Sequence, residues 1–150
     1  CALQGMTLGI PSIALSQCLD FDIDLMTQWN AAEVHGAPIL SAVLEKGWPA
    51  DVVININFPD CPADEVSGVE VTRQGFRDAH IRPAEKRTDL RGREYYWMGF
   101  RQERSSPPVG TDLRALYDGK ISVTPLHIDL THGESVHKLR AVLGGPPPKA

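Results

Sequence analysis

Short apolar runs alternate with a longer amphipathic stretch in the first third of this 150-residue chain. Residues 10–16 and 51–58 are apolar, partly β-branched and bounded by turn-forming residues, which predicts two buried strands. Between them, apolar residues recur every three or four positions over residues 26–46 and predict a helix. Pro38 falls inside this helix, where we expect it to cause a kink or to divide the helix in two. Strand, helix and strand in this order are typical of an α/β fold.

The hydrophobic pattern of the remaining chain predicts shorter elements. Residues 1–8 are typical of the last turns of a helix that ends at Gly9. Residues 69–74, 95–100 and 121–124 predict strands, and Pro125 should stop the last of them. The polar segment between the first two of these strands indicates a long hairpin, and a helical repeat over residues 134–143 predicts a final helix.

These elements fit one domain, since 150 residues are an ordinary domain length. We expect an α/β core part over residues 1–72, a projecting basic hairpin over 73–104, a return segment with the C-terminal helix over 105–145, and a mobile proline-rich tail over 146–150. With 42% hydrophobic and 23% charged residues, the composition argues against a wholly disordered or fibrous chain. No apolar run reaches the roughly 18 residues of a spanning helix, so no membrane association is expected.

Charge is unevenly distributed around a net value of −4. Residues 1–72 contain ten acidic residues and one basic residue, whereas residues 73–104 contain nine basic and five acidic residues. The basic set includes Arg73, Arg77, Arg82, Lys86, Arg87, Arg91 and Arg93. It could attract an anionic substrate or a nucleic acid, or it could pair with the acidic first half of this subunit or a neighbouring one. We favour ion pairing and do not expect a nucleic acid partner.

The three cysteines, at positions 1, 18 and 61, are widely spaced and form no C-x-x-C motif. Neither a disulfide framework nor a structural zinc site is therefore expected, and a reducing cytoplasmic setting fits best. The chain opens on Cys1 inside a predicted helix, so we expect it to be a fragment of a longer protein.

Two groups of polar and aromatic residues allow more than one interpretation. Asn55 and Asn57 share one face of their strand and could bind a ligand or hold a loop, and we favour the structural role. Tyr95, Tyr96 and Trp97 could stack on a base. Packing of this segment against a partner surface is the favoured alternative.

A third group, His127, Asp129, His132 and His137, combines imidazole and carboxylate, the ligands that suit zinc, iron or manganese. Its spacing matches no metalloenzyme motif that we can justify. We favour structural or interface roles, in which a buried carboxylate anchors a loop or caps the final helix. A P-loop, a G-x-G-x-x-G motif and a G-x-S-x-G motif are all absent from the sequence.

Six ordered segments together resemble one family. They are LQG-x-x-LGIPSIALS from Leu3, INFPD from Ile56, VEVTRQG from Val69, DLRG-x-x-YYWMG from Asp89, GTD from Gly110 and ISVTPLHIDLT from Ile121. The chain resembles the C-terminal part of the SurE (survival protein E) family, metal-dependent nucleotidases that hydrolyse nucleoside monophosphates to nucleoside and phosphate.

The resemblance implies a Rossmann-like α/β fold from which a β-hairpin and a C-terminal element project to form homo-oligomers, dimers or tetramers. It also implies a divalent metal, Mg²⁺ or Mn²⁺, held by two aspartates, a serine and an asparagine upstream of this chain. No catalytic or metal-binding residue is therefore expected within residues 1–150, and we expect the chain alone to be inactive. The alternative is a non-catalytic fragment that serves only as an oligomerisation segment.

The resemblance assigns supporting roles to two sets of residues. The first set supports the substrate pocket or its loops: Asn57, Arg73, Gly75, Thr111 and Asp112. The second lies at the hinge or interface of the oligomer: Tyr96, Trp97, His127, Asp129 and His132.

Overall fold

The computed structural model describes residues 1–18, 29–76, 84–97 and 106–144. Within these residues the helices are α1 (Ala2–Thr7), α2 (Asn30–Lys46), α3 (Asp112–Tyr117) and α4 (Gly133–Leu143). The strands are β1 (Ser12–Gln17), β2 (Val52–Phe58), β3 (Val69–Val71), β4 (Glu85–Thr88), β5 (Glu94–Trp97) and β6 (Ile121–His127). The predicted α/β class is confirmed, and the boundaries of β2 and α4 lie within one residue of those expected from the sequence.

Four strands form the main sheet in the order β1, β2, β6, β3. β1 runs parallel to β2 and β3 runs parallel to β6, whereas β2 and β6 are antiparallel. The sheet is therefore mixed. The carboxyl ends of β1 and β2 lie at the same edge, where ligands bind in open α/β sheets.

The apolar face of this sheet forms the core under α2. Ile54, Ile56 and Phe58 alternate along β2 and pack with Ile121 and other apolar residues. Partly buried residues of α2, among them Ile39, Leu40 and Val43, cover this cluster. Because successive strand residues face opposite sides, Asn55 and Asn57 lie on the face away from α2.

Pro38 disturbs α2 less than its position inside the helix suggests. α2 continues as a single helix through Pro38, so the alternative of two short helices is wrong. Packing of its partly buried side chains on the core cluster offsets the backbone hydrogen bond that the proline removes.

The expected stop at Pro125 is also wrong, because β6 extends to His127. The carbonyl of Val123 accepts a hydrogen bond from the Thr72 backbone N–H on the β3 side of the strand. Alternation places the backbone nitrogen of Pro125 on that same side, beyond the last paired residue of β3. The missing N–H therefore faces an open edge, where proline is tolerated.

The hairpin is formed by β4 and β5, not by the predicted strands 69–74 and 95–100. β3 instead joins the main sheet beside β6. The Asp89 carboxylate closes the hairpin turn by accepting hydrogen bonds from the backbone N–H groups of Arg91 and Arg93, at 2.8 and 2.9 Å. A tight turn of this kind makes the nearby β4 the partner of β5.

Several sequence expectations lie outside the described residues. These are Arg77 and Arg82 of the basic set, the end of the segment 95–100, and the proposed tail 146–150. Within the described ranges, the structure contains no helix that is both long enough and apolar enough to cross a membrane.

Candidate functional site

A cleft of about 380 Å³ opens where β1 and β2 end. Its volume is within the range of roughly 300–1,000 Å³ that is usual for small-molecule sites. The described residues that line it are Ser16, Gln17, Cys18, Asn57, Gly75, Asp112, Leu113 and Leu116. They come from the ends of two strands, from the segment after β3, and from α3.

The first wall of the cleft is the end of the parallel pair β1 and β2. Ser16 is paired with Asn57 in the register, so their side chains lie on the same face of the sheet. The Cys18 backbone N–H extends the pairing by donating to the Phe58 carbonyl at 2.9 Å. The two polar side chains are therefore placed by sheet geometry, and not by a flexible loop.

Gln17 fixes the strand ends from behind this wall. Its Nε2 donates to the Cys18 carbonyl at 3.1 Å and to the Pro59 carbonyl at 2.7 Å. Two carbonyl oxygens require a donor, so the orientation of the amide is set by its contacts. Its Oε1 is buried and has no hydrogen-bond partner in the part of the chain that the structure describes.

The second wall begins where the chain passes from Gly110 into α3. The Arg73 backbone N–H donates to the Gly110 carbonyl at 3.1 Å, and the Asp112 backbone N–H donates to the Arg73 carbonyl at 3.0 Å. Thr111 is 1% exposed, and its hydroxyl donates to the Pro108 carbonyl at 2.6 Å. These bonds join the start and the end of the excursion over residues 76–109.

The Asp112 carboxylate faces the cleft in a fixed orientation. Its Oδ1 accepts hydrogen bonds from the backbone N–H groups of Gly75 at 2.9 Å and Leu113 at 2.8 Å. A side chain at position 75 would crowd this arrangement, because a Cβ there would lie 3.0 Å from Oδ1 of Asp112 and 3.0 Å from Cβ of Thr111. Only glycine permits this approach without displacement.

The lining has a definite chemical character. Its described side chains are a carboxylate, two amides, a hydroxyl, a thiol and two leucines, with no lysine, arginine or histidine. In addition, the described ranges contain no group of three or more His, Cys, Asp or Glu residues that could hold a metal ion. The described lining therefore supplies a single carboxylate and no set of three such ligands for a divalent cation, and the cleft offers polar acceptors beside an apolar surface.

Comparison with known proteins gives the same assignment as the sequence motifs. The family model described as "Survival protein SurE" matches residues 1–81. The chain belongs to the SurE family. A protein of Phenylobacterium zucineum named "5'-nucleotidase SurE" is 63% identical over 148 residues, which cover 99% of this chain and 57% of that protein. A Caulobacter vibrioides protein of the same name is 60% identical over 149 residues, with the same coverage.

A solved structure agrees with this assignment. The crystal structure of the SurE protein from Aquifex aeolicus matches with a TM-score of 0.69 at 35% identity, over 95% of this chain and 55% of that one. The Rossmann-like SurE fold expected from the resemblance is thus confirmed. The chain spans a little over half the length of the curated relatives it matches.

The structure brings together all five residues that the SurE resemblance assigned to pocket support. Asn57, Gly75 and Asp112 line the cleft. Arg73 and Thr111 form the bridge directly behind them. Their role in substrate binding stays a prediction.

Sequence reasoning missed the other lining residues: Ser16, Gln17, Cys18, Leu113 and Leu116. The available signal was the position of the first three at the carboxyl end of a buried strand, next to the strand that contains Asn57.

The basic hairpin neutralises much of its own charge. Lys86 pairs with Glu94 and Arg87 with Glu85, each at 2.6 Å, and Arg93 pairs with Asp89 at 3.0 Å. These partners lie within the hairpin, so the expected pairing with the acidic first half of the same subunit is wrong for these three residues, and pairing with a neighbouring subunit stays a prediction. The backbone N–H groups of Arg93 and Arg91 also lower the pKa of Asp89.

The two aromatic residues predicted at an interface, Tyr96 and Trp97, are exposed on β5. The Arg87 guanidinium lies 5.3 Å from the Trp97 ring centre, within the distance of a cation–π contact. The aromatic surface of Tyr96 and Trp97 is formed within the β4–β5 hairpin itself. Its role in assembly stays a prediction.

The His and Asp cluster after β6 makes local contacts, and among the described residues it does not form a group of three or more His, Cys, Asp or Glu side chains that could hold a metal ion. His127 Nε2 lies 3.1 Å from Asp51 Oδ2, and its Nδ1 accepts the Asp129 backbone N–H at 3.2 Å. Hydrogen bonds from the Thr131 hydroxyl and backbone N–H lower the pKa of Asp129. Asp129 is exposed, so the expectation of a buried carboxylate is wrong.

The cap of the final helix is an imidazole and not a carboxylate. His132 is the N-cap residue of α4, and its Nδ1 accepts the Ser135 backbone N–H at 3.2 Å. This contact satisfies one of the free N–H groups of the first turn. Together with the Asp129 turn, it orders the segment between β6 and α4, which the SurE resemblance assigned to the oligomer hinge.

Proposed function

We propose that this chain is the C-terminal part of a divalent-metal-dependent 5′-nucleotidase that hydrolyses nucleoside monophosphates to nucleoside and phosphate. The observation that carries the proposal is the 60–63% identity to proteins named 5′-nucleotidase SurE over 99% of the chain, including the whole cleft. The aligned region contains the ends of β1 and β2, the hairpin base (residues 73–75 and 110–112) and α3. The cleft gives the chain a place in substrate binding.

The ligand groups of the described residues indicate which part of the protein binds the metal. Hydrolysis requires a water oxygen to bond to phosphorus while the bond to the nucleoside oxygen breaks and that oxygen takes up a proton. A bound Mg²⁺ or Mn²⁺ would supply charge neutralisation and a more acidic water. The described residues offer no ligand cluster for it, so we assign the metal ligands to the part of the protein outside this chain.

The chain's own contribution is to position the substrate. Ser16 and Asn57 present hydrogen-bonding groups from rigid strand ends, and Asp112 presents a fixed carboxylate across the cleft. Leu113 and Leu116 exclude water from one side. Placing a substrate on a rigid scaffold lowers the entropic cost of reaching the reactive geometry.

We also propose that the protein is a cytoplasmic homo-oligomer, a dimer or tetramer. The support for assembly is unburied apolar surface: Leu139, Val142 and Leu143 are exposed on α4, as are Tyr96 and Trp97 on the hairpin. A two-stranded hairpin is at best marginally stable without packing partners. For the compartment, the support is that none of the three cysteines forms a disulfide.

The test compares two polypeptides: the 150-residue chain, and a chain extended to the length of the relatives. We expect the extended chain to release phosphate from AMP with Mg²⁺ or Mn²⁺ and to lose this activity in EDTA. The 150-residue chain should be inactive with either metal. An extended, folded chain that is inert towards AMP and GMP would refute the nucleotidase proposal.

The same samples test the alternative of an assembly segment without catalytic function. Light scattering coupled to size exclusion gives the mass of each polypeptide. An oligomeric but inert extended chain would favour that alternative. A stable monomer of the extended chain would instead refute the proposed assembly.

A further inference from the structure

The charge of the cleft determines which half of a nucleotide it suits. The one ionisable carboxylate among its described lining residues is Asp112, and no described lysine, arginine or histidine accompanies it. Among the described lining residues, a phosphate dianion placed beside Asp112 would meet a like charge and no cationic side chain, which is unfavourable. A neutral group with hydroxyl or N–H donors would instead find acceptors on Asp112 and Asn57.

The hydrogen bonds that Asp112 makes with described residues leave one of its two carboxylate oxygens available. Both of its described side-chain hydrogen bonds, from Gly75 and Leu113, go to Oδ1. Among the described residues, none donates to Oδ2. Because two backbone donors hold Oδ1, the whole carboxylate is fixed in position. Oδ2 can therefore accept a hydrogen bond from a ligand with little further loss of side-chain entropy.

The remaining lining supports the same ligand. Leu113 and Leu116 lie on the same helix as Asp112 and give the cleft an apolar side. A nucleoside combines an apolar ring face with sugar hydroxyls and base N–H groups, so it can contact both kinds of surface. A phosphate ion has no apolar face to pack against leucine.

We infer that this cleft binds the nucleoside half of the substrate, and that Asp112 Oδ2 accepts a hydrogen bond from a sugar hydroxyl or a base N–H. The phosphate then points away from Asp112, towards the part of the protein that holds the metal. Asp112 is a specificity residue in this arrangement. The inference rests on the proposed nucleotidase function for its choice of ligand.

The test measures binding of adenosine and of inorganic phosphate separately, by calorimetry with Mg²⁺, to the extended polypeptide. Asp112→Asn keeps an oxygen that can accept from Gly75 and Leu113, and it replaces the second oxygen by a donor. We expect it to weaken adenosine binding about 10- to 100-fold, as for loss of a charge-assisted hydrogen bond. Phosphate binding should be unchanged.

A matched control is Asp118→Asn. Asp118 follows α3, pairs with Arg114 at 2.9 Å and does not line the cleft. It removes the same charge near the same helix, and adenosine binding should not change. If Asp112→Asn fails to fold, Leu116→Ala shortens the apolar side without touching the bonds of Asp112, and it should also weaken adenosine selectively.

The outcomes separate the inference from the function. Unchanged adenosine binding in Asp112→Asn, or equal weakening of adenosine and phosphate, would overturn the inference, as would a wild-type protein that does not bind adenosine. Adenosine binding that depends on Asp112 in a protein inert towards AMP would instead overturn the nucleotidase proposal alone. In the supporting case, titration of 2′-deoxyadenosine tests one donor: if its binding no longer depends on Asp112, the donor is the 2′-hydroxyl.

Discussion

Gly75→Ala tests whether the base of the hairpin is as tightly packed as the structure shows. The added Cβ would lie 3.0 Å from Asp112 Oδ1, 3.0 Å from Thr111 Cβ and 3.4 Å from Thr111 Cγ2. Non-bonded carbon atoms prefer a separation of about 3.5–4.0 Å. One or both neighbours must therefore move by a few tenths of an ångström to accept the methyl group.

Neither neighbour is free to move. Thr111 is almost completely buried and donates its hydroxyl to the Pro108 carbonyl. Asp112 is held by the backbone N–H groups of Leu113 and of Gly75 itself. Overpacking of this kind costs about 1–3 kcal/mol. We take about 2 kcal/mol as the central value, which corresponds to a loss of about 4–8 °C in Tm for a domain of this size.

Gly133→Ala is the matched control because it makes the same chemical change in open space. Gly133 begins α4, has no atom within 4 Å of a built Cβ and does not have a positive φ. Alanine restricts the unfolded chain in both variants, which stabilises by about 0.4–1 kcal/mol where the site accepts it. The difference between the two variants in free energy of unfolding therefore contains the steric cost at Gly75 and the gain in helix propensity of alanine at Gly133.

The assay is urea unfolding of both variants and the wild type, followed by circular dichroism. We expect Gly75→Ala to unfold at lower urea than the wild type and Gly133→Ala at equal or higher urea. Equal midpoints for the two alanine variants would refute the close packing of Gly75 against Thr111 and Asp112. That result would also remove the geometric basis for a fixed carboxylate in the cleft.

Two further predictions concern other polar contacts. Thr72→Val removes a buried hydroxyl that lies 2.8 Å from the Ser122 hydroxyl and 2.7 Å from that of Thr124. It should lower the free energy of unfolding by about 1–3 kcal/mol, with Thr72→Ser as the conservative control. An unchanged urea midpoint for Thr72→Val would contradict this prediction. The lowered pKa of Asp89 means that its carboxylate stabilises the hairpin turn above its unfolded pKa of about 3.9 and that this contribution is lost as the pH falls through the lower folded value. The protection of the turn amides, taken as the intrinsic exchange rate divided by the observed rate at the same pH, should therefore be high at neutral pH and fall only in acid. Asp89→Ala should lose this protection already at neutral pH, and full protection in that variant would count against the role of the carboxylate.

The hydrophobic pattern predicted the elements better than their partners. The alternation of Ile54, Ile56 and Phe58 identified β2 because burial on one face leaves a period of two in the sequence. Nothing local states which strand will pair with residues 69–71, and the sequence offered the wrong partner. Pairing depends on contacts between distant segments, which a local pattern does not contain.

In the candidate site, too, the local features could be predicted from the sequence and the contacts between distant segments could not. Asn57 could be selected because a polar residue inside an apolar strand needs an explanation. The opposite wall depends on a hydrogen bond between Gly75 and Asp112, which are 37 positions apart. Only the family motifs linked these residues before the fold was known. Gln17 was missed because a single polar residue at a strand end is too common to attract notice.

The bonds at the hairpin base connect the two proposed functions of the chain. The chain leaves the main sheet after Arg73 and rejoins it at Thr111, and these two residues form a parallel bridge. Because the ends of this excursion are fixed together, its length and outer sequence can vary at small entropic cost without moving the cleft. Asp112 belongs to both regions, since it ties the returning chain to Gly75 and faces the cleft. Gly75 and Asp112 are the described residues through which a change at the hairpin base would reach the cleft, which makes the base, and not the exposed tip, the part of the hairpin where the proposed assembly and binding roles meet.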